Sequence, residues 1–155
     1  MAERSDRACL EELVRRYATL VDRRDLDAVA DLFTEDAVLV LPDPPARLDP
    51  FRVHTGRAAV SRALSVLRDV PATRHEVTHL ALAVARGAGT AAGTVTGVAH
   101  HFFRRRHGGV VDVVWHVRYA DTYRRQDGRW RIARRELTVD RLERSAVAGC
   151  PDPAP

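Results

Sequence analysis

Leu10, Leu13, Val14, Tyr17, Leu20 and Val21 recur at intervals of mainly three and four residues behind Ser5. That spacing puts them on one face of a helix over residues 6 to about 23, with Ser5 as its N-cap. Asp25 then starts a second, short helix through Ala28, Val29, Leu32 and Phe33, which Thr34-Glu35-Asp36 closes before the apolar run Ala37 to Leu41, read as a strand. Residues 42 to 53 hold Pro42, Pro44, Pro45 and Pro50. Proline neither donates to a sheet ladder nor continues a helix, so this segment reads as a rigid loop bordering a cavity. Gly56 opens a third helix with Ala59, Val60, Ala63, Leu64 and Leu67 on one side, ending before Pro71.

Beyond Pro71 the period changes. Residues 75 to 85, 90 to 104, 110 to 125 and 129 to 140 alternate or run apolar with β-branched content, separated by Gly-rich turns and by the hairpin signal Asp127-Gly128. They predict an antiparallel meander. Helices first and a long sheet afterwards make an α+β fold, a cone-shaped barrel of curled antiparallel sheet covered by three N-terminal helices. Residues 1–142 form its one domain. Residues 143–155, with Gly149, Pro151, Pro153 and Pro155, read as a flexible tail.

The length of 155 residues suits one domain, and 45% hydrophobic with 30% charged residues argues against extended disorder. No apolar run approaches the roughly 20 residues of a membrane helix, and the first residues carry no signal-type segment, so a cytoplasmic protein with no membrane partner is expected. Cys9 and Cys150 give no disulfide framework. The net charge is +4, and all 25 basic residues are Arg. They are spread along the chain, with Arg104-Arg105-Arg106 read as a solvated turn. No clustered basic face with stacking aromatics emerges, so nucleic acid is not an expected partner.

Seven histidines remain as candidate chemistry. If Arg86 to Gly89 is a turn, Ala85 faces Thr90, and residues whose numbers sum to 175 pair across the hairpin, which sets His75 opposite His100. Directly opposed residues hold their Cβ atoms about 5 Å apart on one face. Two strand-ending histidines with ordinary hydrogen bonds are the plainer alternative. No metal is expected: His75 and His79 lie about 13 Å apart at 3.3 Å per residue, His100 and His101 point to opposite faces, and no His-Glu-x-x-His run exists. Asp22 sits in the last turn of the first helix, where the macrodipole disfavours an anion, so a partner should hold it, either a surface Arg or the site. Tyr17, on the apolar side of that helix, is core or site. Trp115, Val117, Tyr119, Val98 and Phe102 alternate on strand faces as pocket walls or core, with His79 and His116 as further liners or plain strand residues.

Tyr17-Ala-Thr-Leu-Val-Asp22-Arg-Arg-Asp25, Leu32-Phe-Thr-Glu-Asp36-Ala, Gly56-Arg-Ala-Ala, Arg74-His75-Glu-Val and Asp127-Gly-Arg-Trp130-Arg-Ile132-Ala-Arg-Arg135 together resemble the SnoaL-like branch of the nuclear transport factor 2-like superfamily, over about residues 6 to 140. The site pattern resembles most closely scytalone dehydratase, bile-acid dehydratase and lindane dehydrochlorinase. There an Asp on the first helix orients a His base, and Asp22 and His75 match those positions. The spacing of His75 and His100 is similar to that of two histidines in scytalone dehydratase, Tyr17 resembles a tyrosine of the bile-acid enzyme, and Arg135 resembles an Arg near the site of the latter two. The proline-rich segment, Val117, Tyr119 and His79 depart from the pattern.

The resemblance implies a cofactor-independent dehydratase that acts by His/Asp acid-base catalysis on a hydrophobic, ring-sized, carbonyl-bearing molecule of secondary metabolism. The catalytic set is Asp22, His75, His100, Tyr17 and Arg135. An isomerase or polyketide cyclase using the same base, and a non-catalytic small-molecule binder, are the alternatives. By resemblance alone, a homodimer is expected.

Overall fold

The computed structural model describes residues 5–148, in which two helices, a strand pair and a third helix precede the four long strands that complete a six-stranded sheet. Helix α1 (Asp6–Asp22) begins where Ser5 Oγ accepts the Ala8 N–H at 3.3 Å, satisfying one of the free donors of the first turn. Its buried residues are the predicted apolar face, Leu10, Leu13, Val14, Tyr17, Leu20 and Val21. Helix α2 (Leu26–Asp31) is capped by the Asp25 carboxylate, which accepts the Ala28 N–H at 3.2 Å. It stops sooner than its apolar spacing suggests. Phe33 already belongs to strand β1 (Phe33–Asp43), because Ile132 lies beside it and donates its N–H to Leu32 O at 2.8 Å.

The proline-rich segment is not a loop. β1 runs to Asp43, and β2 (Arg47–Thr55) returns antiparallel, with Val38 facing Thr55 and Leu41 facing Arg52. The prolines fit because β2 is an edge strand and the register shifts between Leu41 and Asp43, so Pro50 falls where no regular ladder bond is required. The turn carries the cis bond between Pro44 and Pro45. Helix α3 (Arg57–Leu64) starts at Gly56, whose φ of +86° is a left-handed angle that favours glycine, and passes into a 3₁₀ turn, Ser65–Asp69.

The meander is as predicted: β3 (Ala72–Ala85), β4 (Thr90–Arg104), β5 (Val110–Gln126) and β6 (Arg129–Val147). Strand order is β2-β1-β6-β5-β4-β3, with β1 parallel to β6 and every other neighbouring pair antiparallel. The edges β2 and β3 are not joined, so the curled sheet is open and not a closed barrel. β6 runs further than expected, because Val147 still has Val110 as a partner, and residues 143–147 of the expected tail are strand. Residues 149–155 of that tail, Cys150 included, lie outside the described residues. Among the described residues no helix is long and apolar enough to cross a membrane.

One irregularity in the meander decides which side chains face inward. Ala85 faces Thr90, and the predicted register holds as far as His79 facing Thr96. Thr78 is then an extra residue, after which Val77 faces Gly97 and His75 faces Ala99. A bulge of this kind sets two residues of one strand against one of its partner. Gly97 makes room for it, since a Cβ there would lie 2.4 Å from the Glu76 carbonyl oxygen.

Candidate active site

The bulge moves the part of β3 before Thr78 by one residue against β4, so Arg74, and not His75, faces His100. Alternate strand residues share a face, which turns His100 outward and His101 inward. His101 is therefore the histidine beside His75, with ring centroids 6.0 Å apart and planes nearly perpendicular. Both line a cavity of about 960 Å³ between the helices and the sheet, walled largely by apolar side chains that include Val21, Leu64, Ala99 and Trp115. That size accommodates a ring-sized ligand.

Asp22 ends α1 beside His75, which lines this cavity. Its Oδ1 lies 2.6 Å from His75 Nδ1 and accepts the Thr73 hydroxyl at 3.0 Å, while its Oδ2 accepts the His75 backbone N–H at 2.9 Å. Hydrogen bonds to a charged acceptor are worth about 1.5–3 kcal/mol each, against about 0.3–1 kcal/mol for an anion at the wrong end of a helix dipole, so the contacts win. Burial pushes the carboxyl pKa up, but the His75 side-chain and backbone bonds, the His75 charge and Thr73 outweigh it and leave it below the usual carboxylate value. A carboxylate accepts only, which places the His75 proton on Nδ1 and a lone pair on Nε2. Arg24 braces the arrangement: its guanidinium donates to Thr73 Oγ1 at 2.7 Å, to Val21 O at 2.9 Å and to Val70 O at 2.8 Å, tying the end of α1 to the start of β3.

His101 has a different setting. Its Nδ1–H donates to Val113 O at 3.1 Å and its ring lies 4.5 Å from that of Trp115. Burial lowers its pKa, the Val113 bond opposes the shift, and the nearby His75 reinforces it. A histidine whose folded pKa is depressed confers its full stability above the unfolded value, near 6.5, and loses it as pH falls through that value, because the unfolded chain then takes up a proton the folded chain resists. Melting temperatures of the wild type and of His101→Gln, compared between about pH 7.5 and pH 5, are expected to show a shallower acid-side decline in the variant.

The remaining candidates divide. Tyr17, Trp115, Val117 and Tyr119 line the cavity. His100 does not: its Nδ1 lies 2.6 Å from Asp112 Oδ2 on the outer face, and its ring stacks on Phe102, which is thereby outside as well. Val98 faces His116 on that outer side and borders only a recess of about 20 Å³. His79 is exposed, on the outer side of the bulge. His116 is an outer-face residue beside Glu143.

Arg135 is not at the cavity surface either. It is 1% exposed, and its Nε and Nη2 donate to Asp121 at 2.9 and 2.6 Å as a bidentate pair across β5 and β6. Its guanidinium carbon sits 4.2 Å from the Tyr17 ring centre and 4.4 Å from that of Tyr119. Arg135 thus fixes the two tyrosines that do reach the cavity. Burial raises the pKa of both phenols, so both are O–H donors at neutral pH. Among the described residues no group of three or more His, Cys, Asp or Glu side chains is placed to share a metal ion. His101 is not among the site candidates that the sequence offers. The signal for it was Gly97, since an isolated glycine inside a strand marks a bulge.

Residues 2–136 match the family model described as the SnoaL-like domain. No curated protein matches the chain. Among solved structures, a candidate scytalone dehydratase from Novosphingobium aromaticivorans superposes with a TM-score of 0.74 at 21% identity, covering 93% of each chain. A type 2 hexachlorocyclohexane dehydrochlorinase gives 0.71 at 18%, covering 96% of this chain and 93% of that one. A nuclear transport factor 2-like protein with a cystatin-like fold, also from N. aromaticivorans, gives 0.63 at 24%, covering 87% and 82%.

Proposed function

The chain belongs to the SnoaL-like domain family, and from that premise we propose that it is a dehydratase that needs no cofactor, with His75 as its base. The observation that carries this reading is the 2.6 Å contact between an anionic Asp22 and Nδ1 of His75, whose ring lines an apolar cavity. Asp22 fixes the tautomer and stabilises the imidazolium, so Nε2 takes a proton from carbon next to a substrate carbonyl. The electron pair left on carbon forms the double bond as the neighbouring C–O bond breaks. The imidazolium returns its proton to the departing hydroxide, releasing water and restoring neutral His75.

Tyr17 and Tyr119 serve as donors to the carbonyl oxygen as it gains negative charge. His101, neutral with Nδ1 occupied, presents Nε2 as an acceptor that orients a substrate hydroxyl. His100, on the outer face, takes no part, and one histidine carries the proton both ways. The same base would drive a double-bond shift or ring closure where the substrate has no leaving group.

A panel of cyclic β-hydroxy ketones incubated with the enzyme in D2O and followed by NMR tests the reading. Loss of water together with loss of one proton next to the carbonyl is the expected result, absent in His75→Ala. Saturable binding with neither event would identify a binding protein instead.

A further inference from the structure

At its β4–β5 end the cavity adjoins a second depression of about 420 Å³, and Phe103, Val111 and Arg144 line both. The walls of the second one are Arg104, Arg105, Arg106 and Arg144, all four exposed. The acids nearby on β5 and β6 are already engaged, Asp140 with Arg118, Glu143 with Arg141 and Asp112 with His100. Among the described residues none of the four guanidinium groups is in an ion pair. The turn that the sequence suggests is, in three dimensions, part of a cluster joined by a distant strand residue, Arg144, which also lines the cavity of the candidate active site.

We propose that this cluster holds the phosphates of a coenzyme A thioester whose acyl group occupies the cavity. The proposal rests on the dehydratase reading and names its substrate class. Guanidinium forks match phosphate oxygens in pairs, and four of them suit a group bearing several phosphates better than a single carboxylate. Ala99, opposite His75, is five residues from Arg104 along β4, about 17 Å at roughly 3.3 Å per residue, with Arg105 and Arg106 just beyond the strand's end. A pantetheine arm spans a gap of that order, and Phe103 and Val111 give it an apolar path. The thioester carbonyl would also acidify the carbon-bound proton that His75 removes, so one molecule supplies both the anions and the activated C–H.

The test is calorimetric titration of the full chain with coenzyme A, dephospho-coenzyme A and inorganic pyrophosphate at low and physiological salt. Coenzyme A is expected to bind saturably and more tightly than the other two, and more weakly as salt screens the charges. In Arg105→Glu/Arg106→Glu/Arg144→Glu the affinity should fall at least about tenfold, the loss set by one charge-assisted contact, with an unchanged circular dichroism melt. Since binding needs no turnover, His75→Ala should bind coenzyme A like the wild type, which separates failure of this proposal from failure of the dehydratase reading. Equal affinity for coenzyme A and pyrophosphate, binding untouched by the charge reversals, or recognition of a phosphopantetheine arm only on a carrier protein would each overturn it.

Discussion

Asp22→Asn is expected to lower turnover by roughly a hundred- to ten-thousand-fold, the range that a positioned acid-base group contributes, with the fold intact by circular dichroism. The amide keeps the shape of the carboxylate but not its charge, so the imidazolium formed at His75 loses its counter-ion. An amide NH2 set against Nδ1 would also favour the tautomer whose Nε2 carries the proton, which leaves the base blocked. His75→Ala should fall at least as far. His100→Asn provides the contrast, because that ring lies on the outer face against Asp112 and its loss should leave the rate within about twofold, well below the range for a working acid-base residue. Near-wild-type rates in both Asp22→Asn and His75→Ala would remove the catalytic assignment.

Asp121→Leu is expected to have the largest effect on stability. Its side chain is fully buried and takes two hydrogen bonds from Arg135 and one from the Tyr123 hydroxyl at 2.6 Å. Burial works against the Arg135 charge and the attraction of Asp121 offsets it, holding the pKa well above the usual arginine value; without Asp121 the guanidinium, which keeps its proton in proteins, would be left buried with nothing to balance it. Breaking a buried pair by removing one partner costs about 3–5 kcal/mol, roughly a 10 °C fall in melting temperature for a domain of this size. Replacing both partners, in Asp121→Leu/Arg135→Met, should recover much of that loss, because no orphaned charge remains. Activity would report separately: with Arg135 gone, Tyr17 and Tyr119 lose the cation that lies between them. A melt of Asp121→Leu within about 2 °C of wild type, equivalent to less than 1 kcal/mol, would contradict this account.

These two sites differ in how far the sequence exposes them. Periodicity is enough for α1 and α3 and for the four meander strands, since each has one buried face long enough to repeat. The hairpin at residues 42–53 is hidden because prolines argue against strands in general, and only the sheet order reveals that β2 is an edge. The pairing of Asp22 with His75 is legible only with the family resemblance, because an anion at a helix end implies a partner without saying which. The second histidine is not, and neither is Asp121, for the same reason. From Gln126 facing Arg129, an unbroken hairpin would set Asp121 against Arg134, but an irregularity between Thr122 and Tyr123 delivers Arg135 instead. Turn positions fix where pairing starts, whereas bulges decide which face a residue ends on.

The extra residue at Thr78 also bears on how this chain should be aligned with others. A homologue without it would present the same two inward histidines one position closer in number, so distance along the chain is not a conserved coordinate of the site. An alignment that spreads its gap elsewhere would put the outward His100 beneath the other protein's inward histidine and transfer a role to the wrong side chain. For chains like this one, the gap belongs in β3 opposite Gly97, where the backbone itself inserts a residue.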